Sequence, residues 1–358
     1  MTTRVVDIHA HLLVPAVETL VADRPERLEA LRQQAEASGV ASTQHNRQLF
    51  ATDYLPKLTD VATRIAAMDA MGVDMQAVSL SPTQYYYWAD RDLAQAIART
   101  ANEHLAELSA SHPDRFVGLA TVTLQHPDLA AEQLTTAVRT LGLRGCQIST
   151  LIDAVELADR RHDPFWARAE ALGAVVFVHP LGCTLGDRVQ SYYLSNIVGQ
   201  PIETTLALSH LIFGGTLDRH PRLKLCAAHG GGYLPSYIDR SDHGYAVRPE
   251  SRTMAHPPST YLKRIWFDSL VYTPAALEHL VRVVGASQVV IGTDYPFDMG
   301  TSAPLQQIAD ANLSEAERER IRGANALEML TVVPPTPRVS GTQERSNYAR
   351  RRHQARWR

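Results

Sequence analysis

The sequence predicts an α/β fold, a (β/α)8 TIM barrel with a long insertion after strand 1. Eight short apolar runs begin at Val5, Met75, Phe116, Gly145, Ala174, Leu223, Ile265 and Gln288, and nearly all are separated by helical periodicity. Eight β-then-α units in one domain indicate a closed parallel barrel. Runs such as Ala174 to Val178 and Gln288 to Ile291 are apolar throughout, which suits strands covered on both faces. A doubly wound open sheet is the nearest alternative, but no Gly-rich phosphate turn follows the first strand.

In chain order, Val5 to His11 is a β-branched run ending in two histidines. The segment 12–57 is an insertion or lid, with a helix expected over Ala16 to Ala37 and a turn at Ser38-Gly39; segments this long inside a domain are usually functional. Leu58 to Met71 carries Val61, Ile65, Met68 and Met71 at helical spacing before Gly72. Then follow strand Met75–Leu80, helix Asp90–Ala110, strand Phe116–Val122, helix Asp128–Leu141 and strand Gly145–Ser149. Helix Pro164–Leu172, strand Ala174–Val178, helix Pro201–Phe213 and strand Leu223–Ala228 continue the alternation. Strand Ile265–Leu270, helix Pro274–Val284, strand Gln288–Ile291 and short helices at Ser314–Ile321 and Ala324–Leu330 complete a domain spanning 1–333.

In a barrel of this kind chemistry sits at the carboxyl ends of the strands. Strand one ends in His9 and His11, strand five in His179-Pro180, strand six in His229-Gly230-Gly231-Gly232, and strand eight in Asp294-Tyr295-Pro296. Residues i and i+2 of a strand share a side, so His9 and His11 are placed to bind one ion together. A single histidine at a strand end is ordinary; four strand ends with metal-type ligands on one rim are not explained by chance. His9, His11, His179 and Asp294 therefore form a metal site, and three imidazoles with one carboxylate suit a borderline divalent ion, above all Zn²⁺. His229 is either a further ligand or, as we prefer, the general acid/base, since an imidazole free of metal exchanges protons near neutral pH. The three glycines after it suggest close approach of backbone to a ligand.

Composition excludes several partner classes. The 35 Lys+Arg against 38 Asp+Glu give a formal charge of −3, with no general reason to expect nucleic acid or membrane, and no apolar run is long enough to span a bilayer. With no apolar signal segment, the location expected is cytoplasmic. Cys146, Cys183 and Cys226 are far apart and odd in number, so neither a disulfide framework nor a CxxC pair is indicated. The segment 334–358 is Pro-rich, then Arg-rich, with Glu344 its one acid, and reads as a basic, disordered tail.

With these residues in place, the chain resembles the decarboxylase branch of the amidohydrolase superfamily. The stretches that carry the likeness are Asp7-Ile8-His9-Ala10-His11, Arg115 to Leu119, Phe177-Val178-His179-Pro180, Pro201 to Thr205, Ala228 to Gly232, and Gly292 to Phe297. The resemblance implies a carboxy-lyase: a non-oxidative decarboxylase of a small unsaturated or aromatic carboxylic acid. It assigns metal binding to His9, His11, His179 and Asp294 and proton handling to His229, with Zn²⁺ usual and Mn²⁺ found in relatives. It also implies a homodimer in which Arg240 reaches a substrate carboxylate. Members acting on a muconate semialdehyde have a second carboxylate-binding arginine where a gap-free match places Leu55; Arg47 lies nearby. Tyr85, Tyr86, Tyr87 and Trp88 follow strand two, where Trp88 is placed to stack on a flat substrate or to pack within its loop. The rival enzyme reading is hydrolysis of a lactone or amide by metal-activated water, with Asp294 as the base.

Overall fold

β-branched and aromatic runs fit a pleated, buried surface, and the expected barrel strands all form. The computed structural model describes residues 4–333; the basic segment 334–358 lies outside the described residues. The parallel strands are β1 (Val6–Leu12), β2 (Met75–Leu80), β3 (Phe116–Thr121), β4 (Gly145–Ile148), β5 (Val175–Val178), β6 (Lys224–Ala227), β7 (Ile265–Asp268) and β8 (Val289–Val290), neighbours in that order. The ring closes where Asp7 pairs with Ile291 and Ala10 with Tyr295; Ile8 N–H donates to the Ile291 carbonyl at 2.8 Å.

One irregularity decides where the histidines point. Between the pairs Asp7–Gln76 and Ala10–Val78, β1 advances one residue more than β2, which is a β-bulge. Before it, Val6 and Ile8 pack with Met75, Leu119, Phe177 and Cys226 from around the ring; after it, Ala10 and Leu12 pack in the larger outer cluster. The bulge thus switches the facing of the strand, and His9 and His11 both fall on the inner side. Asp7 holds the irregularity in place: its carboxylate accepts from His9 N–H and Thr293 N–H at 3.0 Å, from Gln76 Nε2 at 3.0 Å and from Thr293 Oγ1 at 2.6 Å.

The insertion differs from the expected single helix. Helices Pro15–Val21 and Pro25–Ser38 replace it, because Arg24 (ψ 124°) is extended before Pro25, as the residue preceding proline tends to be. Gly39 (φ 77°) makes the expected turn, and Val40–Leu49 is a further helix. The expected helix Leu58–Met71 is broken at Asp60, whose carboxylate caps Val61–Met71 by accepting from Thr63 N–H. Helix Ile238–Val247 was not expected from periodicity. No helix among the described residues is long and apolar enough to cross a membrane. Cys146 and Cys226 are buried thiols, and Cys183 is partly exposed.

Gly145 gives a test of the barrel. A Cβ there would lie 2.0 Å from the Val175 carbonyl oxygen on the paired strand, an overlap with backbone that no rotamer relieves. Gly145→Ala is expected to destabilise by about 2–3 kcal/mol or more, read as a lower thermal midpoint and reduced soluble yield. An unchanged midpoint would contradict this β4–β5 geometry.

Candidate metal centre

His9 Nδ1 lies 2.6 Å from Asp268 Oδ2, and His11 Nδ1 lies 3.3 Å from the Leu80 carbonyl oxygen. Both partners accept, so each Nδ1 carries the proton and each Nε2 presents a lone pair. The two Nε2 atoms are 3.1 Å apart, and Asp294 Oδ1 lies 3.2 Å from the first and 3.1 Å from the second. Lone pairs turned on one another at this distance repel unless a proton on His9, which Asp294 favours in the metal-free centre, or a metal ion stands among them. Two nitrogens bound at about 2.1 Å to one ion sit about 3.0–3.4 Å apart, the spacing of a coordination shell.

His179, at the end of β5, is buried, and neither ring nitrogen has a hydrogen-bond partner among the described residues. Its ring centroid is 4.8 Å from those of His9 and His11. One ligand atom from each of His9, His179, His229 and Asp294 falls within 4.8 Å of all the others. The four expected ligands and His229 therefore converge, and an orphaned buried imidazole among them fits a metal.

Electrostatics agree with that fit. Burial, then the neighbouring histidines, holds His179 well below the ordinary imidazole range, and burial likewise lowers His11, so both favour the neutral, ligating form. Burial opposes a charge on His9, yet Asp294 and then Asp268 outweigh it and push its pKa up to about 10. Burial opposes ionisation of Asp294 as well, but His9, His11 and His229 keep it well below the carboxylate range. The centre is thus built to hold positive charge between two carboxylates. These donors suit a divalent metal ion.

His229 stands at the rim. Its side chain is 14% exposed, against 0% for His9 and His11 and 8% for Asp294, and its Nε2 is 3.7 Å from Asp294 Oδ2. His229 (φ 54°) and Asp294 (φ 56°) both have left-handed backbone, a strain that clusters at functional sites. The glycines after His229 have a different cause from the expected ligand approach. A Cβ would lie 2.4 Å from Val271 Cγ1 at Gly230, 2.6 Å from Phe267 at Gly231 and 2.1 Å from the Pro201 carbonyl oxygen at Gly232, so they let the turn pack against protein.

Asp268, at the end of β7, went unnoticed in the sequence although it repeats the pattern of Asp294: an acid closing an apolar run. Its Oδ2 accepts from His9 Nδ1 and from His229 N–H at 3.0 Å; its Oδ1 accepts from Gly230 N–H at 2.8 Å and Leu270 N–H at 3.2 Å. One buried carboxylate thereby orients a ligand and the His229 turn together.

A cavity of about 1100 Å³ lies between the inserted helices that follow β1 and the loops after β2, β4 and β5. Arg47 and Trp88 line it, together with Tyr85, Tyr86 and Tyr87. These aromatics also pack on each other: Tyr85 and Tyr87 stack at 5.3 Å, and Trp88 meets Tyr86 edge-on at 5.5 Å. Arg240 is not brought to the centre; it is exposed on helix Ile238–Val247.

Comparison with known proteins follows the same lines. The family described as Amidohydrolase matches residues 6–332. A 2-amino-3-carboxymuconate-6-semialdehyde decarboxylase from Dictyostelium discoideum is 38% identical over 278 residues, 77% of each chain. The crystal structure of 5-carboxyvanillate decarboxylase from Sphingomonas paucimobilis superposes with a TM-score of 0.80 at 26% identity, covering 93% of this chain and 100% of that one. A 5-carboxyvanillate decarboxylase from Novosphingobium aromaticivorans, complexed with manganese and a nitrobenzoic acid, shares the fold with a TM-score of 0.80 at 23% identity over 92% of this chain and 96% of its own. The chain belongs to the amidohydrolase family, in its decarboxylase branch.

Proposed function

We propose that the protein is a metal-dependent, non-oxidative decarboxylase of a small unsaturated or aromatic carboxylic acid. The observation that carries this reading is the convergence of His9, His11, His179 and Asp294 beside a more exposed His229. When bound, a divalent ion supplies Lewis acidity for charge developing on substrate oxygen. The C–CO₂ bond breaks, its electron pair stays on the carbon, and the proton held on the His229 ring forms the new C–H bond as carbon dioxide leaves. Asp268 fixes the His9 tautomer and anchors the backbone of the His229 turn, while burial of the ligands keeps bulk water from the reacting carbon.

The imidazole-rich donor set favours Zn²⁺; the manganese-bound relative makes Mn²⁺ the second ion to load. Arg47 and Trp88 contact the substrate from the cavity wall. Arg240, exposed and without an ion-pair partner among the described residues, serves the substrate carboxylate of a second copy in a cytoplasmic homodimer.

The test is product analysis of the metal-loaded full chain with carboxyl-labelled 2-hydroxybenzoates and a carboxymuconate semialdehyde. Labelled carbon dioxide is expected in the headspace, with solvent deuterium at the vacated carbon. Uptake of one water per turnover without carbon dioxide would instead make the protein a hydrolase.

A further inference from the structure

The two inserted helices Pro25–Ser38 and Val40–Leu49 bury no residue of their own. Their apolar side chains nonetheless have a direction: Leu31 (50% exposed), together with Phe50 (39%) and Leu55 (42%) just beyond the second helix, lines the cavity of about 1100 Å³. Pockets that enclose drug-sized ligands measure about 300–1,000 Å³, so this volume far exceeds the needs of one aromatic ring. Its opposite wall approaches the metal centre through residues next to the ligands in the chain, while His9, His11, His179, His229 and Asp294 are not themselves part of its lining. Leu13 follows His11 by two residues, Leu181 follows His179 by two, and the Tyr85 hydroxyl donates to the His179 carbonyl at 3.1 Å.

The charge on the wall next to Leu13 is already spent. Glu18 accepts from Arg27 at 2.6 Å, Gln84 Nε2 at 2.8 Å and the Tyr86 hydroxyl at 2.5 Å. That network ties the inserted helices to the loop after β2 and leaves Arg47 and the neighbouring apolar surface to choose the ligand. Exposed leucine and phenylalanine lining a concave wall beside a reaction centre gain by covering with apolar ligand surface.

We infer that this cavity is a side pocket for substrate, and that the acid decarboxylated by this protein carries a long apolar extension seated against Leu31, Phe50 and Leu55. The inference rests on the decarboxylase reading for the head of the molecule but concerns its tail, and the two are separable. A partner's apolar segment is the competing occupant.

The test uses the full chain loaded with Mn²⁺ and a series of 2-hydroxy-6-alkylbenzoates from methyl to heptyl, followed by carbon dioxide release and by calorimetric binding. Burying a methylene strengthens binding by up to about fourfold, so KM and Kd are expected to fall at least about tenfold from methyl to heptyl. Leu31→Asp, at a half-exposed position where folding should tolerate the change, is expected to abolish that chain-length dependence, with circular dichroism confirming the fold. Affinities independent of chain length, or a dependence that persists in Leu31→Asp, would overturn the pocket. If no acid loses carbon dioxide but binding still strengthens with chain length in a Leu31-dependent way, the decarboxylase reading falls and the pocket stands.

Discussion

Replacing His229 by Asn is expected to leave metal content near that of the unaltered protein while turnover falls by about 10²- to 10⁴-fold, the usual contribution of a positioned acid or base. The expectation follows from exposure and from what holds the residue. His9, His11, His179 and Asp294 are enclosed, whereas the His229 ring sits at the rim with Nδ1 unpartnered among the described residues and Nε2 3.7 Å from Asp294 Oδ2. The turn itself is fixed through the backbone, His229 N–H and Gly230 N–H both donating to Asp268, so the side chain can be exchanged without dismantling the loop. Metal analysis after dialysis, beside the rate of carbon dioxide release, separates the two roles. Loss of metal in His229→Asn would make His229 a ligand, as its place among the converging donor atoms allows, and would move the proton-transfer role to another group.

Much of this centre was legible because barrel topology turns a one-dimensional pattern into a three-dimensional one. Four strand ends with ligand-type residues had to share a rim, whichever loops joined them. What stayed hidden was set by tertiary geometry. The bulge between Asp7 and Ala10 depends on the pairing of β1 with β2 and on donors from Thr293 and Gln76, none of them close in sequence. The glycines at 230–232 suggested close approach to a ligand, but Val271, Phe267 and Pro201 are what crowd them. Pro25 was in plain sight, yet the apolar positions on either side of it suggested one helix where there are two. Arg240 had a motif-based role, and a single chain leaves it in solvent. The cavity had no local signal, because its walls come from the insertion and from three separate loops.

Asp268 carries the second large expectation. Its two oxygens receive four N–H donors: His9 Nδ1 and His229 N on Oδ2, Gly230 N and Leu270 N on Oδ1. Asn has nearly the same shape but offers one acceptor, so either orientation of its amide turns an NH₂ toward two donors. If the amide nitrogen faces His9, the imidazole must give up its Nδ1 proton or its position, and the Nε2 lone pair is no longer aimed at the metal. If it faces Gly230 and Leu270, the turn bearing His229 is pushed away. The carboxylate charge is lost either way, and with it part of the field that raises His9 and attracts a cation. Asp268→Asn is therefore expected to weaken metal binding about 10- to 100-fold, the usual cost of removing a partner behind a metal-bound histidine, and to lower turnover even with metal restored by excess. Titration of the apoprotein with Zn²⁺ or Mn²⁺ measures the first effect. Nitrogen-15 chemical shifts of His9 report its tautomer, which a purely structural role for Asp268 would leave unchanged. Metal affinity within twofold of the unaltered protein, with the His9 tautomer preserved, would show that Asp268 supports only the turn and that His9 is oriented by other means.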